Sequence, residues 1–478
     1  MEIFIIKYKF IFYLIIYIIM STDTSTLLPN RVGVSDSNLY NLKPSCAKAR
    51  TYRASIPAAN AQTFASGSQI ICYLPANRRN TYLDAHNSYM RVSVKNNDAT
   101  TANNICFDHS GYSIFNRFDV YHGGNLLESI QNANTLMSYV LDMQLNQSDR
   151  IGLSTNYGFD PSINRAGASI GPSGVYTCCL PLPSGVFGMF TDKSMVPVCR
   201  LNDDIRWEIT LENSNAGMFN VKTTSSNWSV ISFELELVFI ELSDEGEQIV
   251  QSVSPVSDPL FLHGTSFRHF VSNYAQNTAG QSSLLVPARF SSIKQLAVLP
   301  RANTTTVTAN LPSTSSRICP NWDTINWRIG SAIVPSKVVT LKNANTTGGG
   351  AEGFCELLRA WHQLNTREGS TTLSNSNYTV ADTAYANGFT AGATTAITGG
   401  AATAAACGNG FAYAQELEIY SNKSSVLCQG LNTLGQNIFF ETSSSTANST
   451  DSYTINFFAW YDHIVIIDPS TGIMSVRL

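Results

Sequence analysis

Charge is scarce in this 478-residue sequence: Asp, Glu, Lys and Arg make up 13% of it, and the net charge is −4. A dedicated nucleic-acid binder needs clustered Lys and Arg to neutralise phosphates, so that class is disfavoured. The one basic run, Lys43 to Arg53 with Arg78 and Arg79 further on, reads as a solvated N-terminal arm. Contact of that arm with nucleic acid is the minor reading and rests on charge alone. Zinc-type and thioredoxin-type cysteine pairs are missing as well, because no two of the ten cysteines are separated by two residues. Cys72 instead sits in the apolar stretch Ile70 to Leu74, where a thiol behaves as a small hydrophobe. A reduced, intracellular chain is expected. The histidines, His86, His109, His122, His263, His269, His362 and His463, are dispersed, with only His109 and His122 placed to approach one another across a sheet. No metal or triad set emerges from their spacing, and structural roles are expected.

A membrane-spanning run is also lacking. Phe10 to Met20 is apolar throughout but falls short of the about 20 residues a span needs. With Lys7 and Lys9 ahead of it, the segment resembles a secretion signal, yet no small-x-small cleavage site follows Met20. Its Ile, Phe, Tyr and Lys composition differs from the rest of the chain, and Met20 is expected to be the true start. N-terminal sequencing of the native protein that found residues before Met20 would contradict this. The sequons at Asn146, Asn227, Asn303, Asn345, Asn377, Asn422 and Asn448 carry little weight in a chain so rich in Asn, Ser and Thr.

What is present is a repeated unit. Ile114, Asn116, Phe118 and Val120 alternate with Phe115, Arg117, Asp119 and Tyr121, the period-two pattern of a strand with two unlike faces. His122-Gly123-Gly124-Asn125 supplies a tight reversal into a second strand, Leu126 to Ile130. Leu136, Tyr139, Val140 and Met143 then fall at i, i+3, i+4 and i+7, the apolar stripe of a short helix. The same order returns later in the chain. Ser113 to Phe118 is echoed by Thr324 to Ile329, Leu126 to Ile130 by Val338 to Leu341, and the stripe by Phe354, Leu357, Leu358 and Trp361. Leu201, Asp204, Ile205, Trp207 and Glu208 match Leu434, Asn437, Ile438, Phe440 and Glu441 at identical spacing. A long strand follows each, Ser232 to Leu242 and Thr454 to Ile467.

A chain of this length exceeds what one core of roughly 250 to 300 residues serves. Strands are also expected around Ile56, over Ile70 to Leu74, Tyr82 to Lys95, Val175 to Leu182 and Met195 to Leu201, while Asn146 to Gly174 reads as a long loop. Ser243 to Pro259 breaks both periodicities and reads as the boundary between halves. About eight antiparallel strands per half, with long loops, fit a jelly roll better than an immunoglobulin-like sandwich. The expected class is therefore all-β, two tandem jelly-roll domains with one short helix inserted in each. A leader and arm occupy 1–45, the first jelly roll 46–254, and the second 255–478, with an Ala/Gly/Thr-rich surface loop at 383–410.

Sites of chemistry are not expected. Gly167-Ala168-Ser169-Ile170-Gly171 matches a nucleophile elbow but lacks the strand before and the helix after it. Gly348, Gly350 and Gly353 match a dinucleotide fingerprint, yet six residues separate them from the preceding strand and no ribose-binding acid follows. Asp203-Asp204 and Asp244-Glu245 flank strands and read as solvated turn residues. No catalytic, cofactor-binding or metal residue is assigned, and no enzymatic activity is expected.

Tyr82-Leu83-Asp84, Arg91-Val92-Ser93-Val94, Phe115-Asn116-Arg117-Phe118-Asp119-Val120-Tyr121 and Gly124-Asn125-Leu126-Leu127-Glu128 resemble the double jelly-roll major capsid proteins of polinton-like viruses and virophages. The similarity is strongest over residues 80–145. It implies a homotrimer forming a pseudo-hexagonal capsomer, contacts with neighbouring capsomers and with a minor or penton capsid protein, and a place in an icosahedral virion assembled inside the host cell. Packaged DNA as a weak partner of the basic arm rests on charge alone, and the absence of a membrane span on the shortness of the apolar run. The alternative reading, motivated by the leader and sequons, is a secreted two-jelly-roll enzyme or carbohydrate-binding protein.

Overall fold

The structure, a computed structural model, describes residues 48–477 apart from 100–103, 163–164, 193–194, 221–225, 276–278, 304–313, 342–349, 365–370, 374–377, 379–409, 420–427 and 446–451. The expected leader and arm, and the expected loop at 383–410 except Gly410, lie outside the described residues.

Alternating apolar and polar side chains build two similar sandwiches in succession. In the first, the strands are β1 (Ala49–Pro57), β2 (Gln69–Leu74), β3 (Thr81–Asn96), β4 (Phe115–His122), β5 (Asn125–Gln131), β6 (Val175–Pro181), β7 (Ile205–Leu211) and β8 (Trp228–Leu242). They pair antiparallel in two sheets, β1-β8-β3-β6 and β2-β7-β4-β5. In the second, they are β9 (Leu260–Tyr274), β10 (Gly280–Val286), β11 (Ile293–Asn303), β12 (Thr324–Ile329), β13 (Ala332–Thr340), β14 (Tyr413–Glu416), β15 (Ile438–Ser444) and β16 (Ser452–Ile467). Their sheets run β9-β16-β11-β14 and β10-β15-β12-β13, the same order again. Each core lies between its two sheets. In β7 the residues Ile205, Trp207, Ile209 and Leu211 are buried and those between are not, and β15 repeats the pattern from Ile438 to Ser444.

Each sandwich has a helix between its fifth and sixth strands: α1 (Ala133–Gln144) in the first, and α3 (Ala351–Ala360) in the second. The expected strand-turn-strand-helix unit is therefore present twice. Its register differs from the letter match, however. Glu208 pairs with Asp119 and the equivalent Glu441 with Asn326, so the counterpart of Asn326 is Asp119 and not Phe115, four residues away. An even shift preserves which face is apolar, so periodicity alone does not distinguish the two.

Three expectations on local structure are corrected. Ser243 to Pro259 contains a helix, α2 (Asp244–Val253), whose N-cap Ser243 accepts from Gly246 N–H at 3.2 Å. Asp244, Glu245 and Glu247 occupy its first turn, where the helix dipole favours negative charge, so the acidic run that reads as a break starts a helix. Asn146 to Gly174 carries short helices at Gln147–Gly152 and Ser154–Tyr157, the first opened by a capping box of Asn146 and Asp149. Met195 to Leu201 holds a 3₁₀ turn at Val198–Arg200 and only an isolated bridge from Val196 to Leu83. Among the described residues no helix is long and apolar enough to cross a membrane.

Candidate functional site: the seam between the sandwiches

Where the two sandwiches meet, α1 is enclosed on all sides. Every residue from Ala133 to Met143 is buried, beyond the one-sided stripe that its spacing predicts. The polar members have partners across the seam. Arg317 Nη1 donates to Ser138 Oγ at 3.1 Å, while Gln295 Nε2 and Trp361 Nε1 both donate to Tyr139 OH, at 2.8 and 2.6 Å. The Tyr139 and Trp361 rings meet edge to face, and Trp361 stacks on Trp460.

Asp142 is the centre of this contact. Its side chain is 0% exposed. Arg165 Nε donates to both carboxylate oxygens at 3.1 Å, Arg317 Nη2 donates to Oδ2, and Thr372 Oγ1 donates to Oδ1 at 2.8 Å. His109 Nε2 stands 2.9 Å from Asp142 Oδ1 and 2.9 Å from Arg150 Nη1, and the Arg150 guanidinium lies 4.1 Å over the Phe159 ring. Burial alone would raise the Asp142 pKa, but Arg165, the His109 ring and Arg317 hold it well below the ordinary carboxylate range. Burial, followed by the charge of Arg150, pushes His109 down to about 3, so its ring is neutral at pH 7. A carboxylate removed from water costs several kcal/mol unless its lone pairs are filled, which these donors from both sandwiches do.

Two further carboxylates of the first sandwich bond to the second. Asp108 Oδ2 accepts from Thr314 N–H and Thr314 Oγ1 at 2.6 Å each, and Ser315 Oγ donates to Oδ1. Glu128, on β5, accepts from Ser184 Oγ, from Gly185 N–H at 2.9 Å, and from Ser266 Oγ on β9. There the two backbones touch. Thr265 N–H donates to Phe190 O and Asp192 N–H to His263 O, and a Cβ on Gly264 would stand 1.8 Å from Gly185 O. The C-terminal strand Met474–Arg477 laps back onto the first sandwich, where Met474 N–H donates to His122 Nδ1 at 3.1 Å.

Of the residues weighed from sequence, His109 and His122 are bonded to different partners, His109 to Asp142 and Arg150, His122 to Asp203 O and Met474 N–H. Asp204 accepts from Ala76 N–H and Asp203 caps Asp204, the turn roles expected of them. Asp244-Glu245 belongs to α2. Gly350 is the N-cap of α3 at φ 89°, and Ser169 opens a two-residue strand with no helix behind it. Sequence reasoning missed Asp108, Glu128 and Asp142. A signal was available for two of them: Asp142 is the lone charge in α1, and Glu128 the lone charge in β5.

The strand order decides the architecture: in each sandwich the sheets run first-eighth-third-sixth and second-seventh-fourth-fifth. The fold is a double jelly roll. Solved structures share it. The chain matches the quasi-atomic PBCV-1 virus capsid at TM-score 0.58 and 9% identity over 92% of this chain and 99% of that one. It matches the Sputnik virophage cryo-EM structure at 0.57 and 11% identity over 95% of each chain, and the mavirus major capsid protein at 0.53 and 9% identity over 95% and 96%. No protein-family model and no curated protein matches the sequence. Identity this low shows common fold, not common chemistry. In this double jelly roll the seam is the feature that fixes one roll against the other, through buried carboxylates rather than apolar contact alone.

Proposed function

We propose that this protein is the major capsid subunit of an icosahedral double-stranded DNA virus, and that it acts by self-assembly rather than by turnover. The observation that carries the reading is the jelly-roll strand order found twice in one chain. Two similar rolls held rigidly side by side give a trimer near-sixfold outline, and such a block tiles a closed shell. Of the solved structures of this fold named above, one is a virus capsid, one a major capsid protein and one a virophage. The rolls are assigned to 46–254 and 255–478, with 1–45 as leader and arm. Neighbouring capsomers and a minor or penton protein are the proposed partners, with packaged DNA a weak partner of the arm, and the virion is the proposed location. No comparison supports the secreted-enzyme alternative.

The test is the solution mass of the purified protein by size-exclusion chromatography with light scattering, followed by electron microscopy. A species near three times the 52.1 kDa chain mass, stable on dilution, that packs into hexagonal arrays is the expected result. A well-folded monomer that forms no arrays would overturn the reading.

A further inference from the structure

Beside the seam, α3 ends against β14 in a cluster of a different kind. His362 lies two residues beyond α3 and takes a positive φ of 55°. That backbone turns its imidazole toward Glu416, the last residue of β14, and toward Glu418. His362 Nδ1 is 3.7 Å from Glu416 Oε1, and Nε2 is 3.4 Å from Glu418 Oε2. The other oxygen of each carboxylate is engaged elsewhere. Arg359 Nε donates to Glu416 Oε2 at 3.1 Å, and Lys294 Nζ stands 3.2 Å from Glu418 Oε1 and 3.3 Å from Asp462 Oδ1. Glu416 Oε1 and Glu418 Oε2 are the oxygens that face the imidazole. The glutamate side chains are 4% and 5% exposed and the histidine 26%, so solvent reaches the cluster from the histidine side.

We propose that His362, Glu416 and Glu418 bind a divalent transition-metal ion of the zinc class, which clamps the end of α3 to the end of β14. One ligand atom from each residue already lies within 4.8 Å of the others. An ion with ligands at about 2.0–2.2 Å in tetrahedral array needs them roughly 3.3–3.6 Å apart, a spacing that His362 Nε2 and Glu418 Oε2 already have. The remaining oxygen, on Glu416, has to close by about an ångström, within the reach of a glutamate rotamer. A nitrogen donor beside two carboxylates selects zinc-class ions over magnesium and calcium, which prefer oxygen throughout. Lys294 and Arg359 stay outside the ligand set and orient the carboxylates, as hydrogen-bonded neighbours of metal ligands generally do. The ion would join the two ends of the chain segment between 362 and 416, and closing so long a connection stabilises the native state.

This inference does not depend on capsid assembly, and its test is separate. The full chain is stripped with a chelator, dialysed against zinc chloride, and assayed for metal content, calorimetric affinity and Tm; cobalt substitution gives the ligand geometry by visible absorption. The expected result is one equivalent per chain, a tetrahedral cobalt spectrum, and a Tm raised by zinc. His362→Ala and Glu418→Gln are expected to weaken binding at least tenfold and to abolish the Tm response. His362→Gln, at a partly exposed position, checks that loss of binding is not loss of fold, by unchanged circular dichroism in chelator. Cys355→Ser, an exposed thiol on the same helix, is expected to leave uptake unchanged. No stoichiometric uptake by the wild type, or uptake that survives His362→Ala, would overturn the proposal.

Discussion

Asp142 shows how much a single residue can organise. It is the one charged side chain of α1, it is fully buried, and its donors come from Arg165 on one side and Arg317 and Thr372 on the other. Removing it strands buried guanidinium groups, which is costlier than the pair itself is stabilising. Asp142→Ala is therefore expected to lower unfolding free energy by about 3–5 kcal/mol in urea denaturation. By contrast, Arg50→Ala, which breaks an exposed pair with Glu241, is expected to cost less than about 1 kcal/mol. His109 makes the seam pH-sensitive. Its native pKa, about 3, lies below the ordinary 6.5, so between those values the unfolded chain binds a proton that the native chain does not. That stability is complete above pH 6.5 and declines as pH falls, by up to about 1.4 kcal/mol per unit. Asp142, also depressed, adds to the decline once pH drops below its ordinary value of 3.8. Denaturation at pH 7, 6 and 5 is expected to show the slope in the wild type and a flatter one in His109→Gln. The lone charge of α1 was legible in the sequence; its partners in the second roll, Arg317 and Thr372, more than a hundred residues further on, were not.

At the scale of elements, the two inserted helices have diverged around one plan. α1 is enclosed and nearly uncharged, whereas α3 keeps an exposed side bearing Lys337-paired Glu352 and Arg359. The repeat was visible because period-two strands and a period-3.6 stripe recur in the same order, and core-facing positions tolerate few residue types. Strand register was not visible, since Asp119 and Phe115 both satisfy the alternation opposite β7. The helix α2 was hidden by its own N-terminus, where acids that favour a helix start also resemble a turn. Close backbone approach is likewise an element-level fact. Gly264 on β9 lies against Gly185 O with no room for a Cβ, so Gly264→Ala is expected to cost about 1–3 kcal/mol. Gly435→Ala, with nothing within 4 Å, is expected to stay within about 0.5 kcal/mol, and thermal melts of the two variants compare them directly.

For the whole molecule, the seam joins the two rolls into one body, which on the proposed reading is the unit that assembles. A rigid pair of rolls presents a fixed outline to its neighbours, while a flexible pair would present many. The fragment 48–254 would leave Asp142 and Asp108 without Arg317, Thr314 and Ser315 and uncover the apolar face of α1. Expressed alone, it is expected to aggregate or remain partly unfolded by circular dichroism and light scattering. Co-expression with 255–478 is expected to restore a soluble complex, and a fragment that folds alone would show that the seam is dispensable.

The sequence by itself determined the all-β class, the two successive copies and the strand-turn-strand-helix unit, because each follows from local period and spacing. Only the tertiary structure decided which sheet each strand joins, the register of β4 and β12, and the convergence of Asp108, Glu128 and Asp142 on donors from the second roll. Those depend on contacts between residues far apart in the chain, whose closure is set by the packing of whole sheets and leaves no period in the sequence to read.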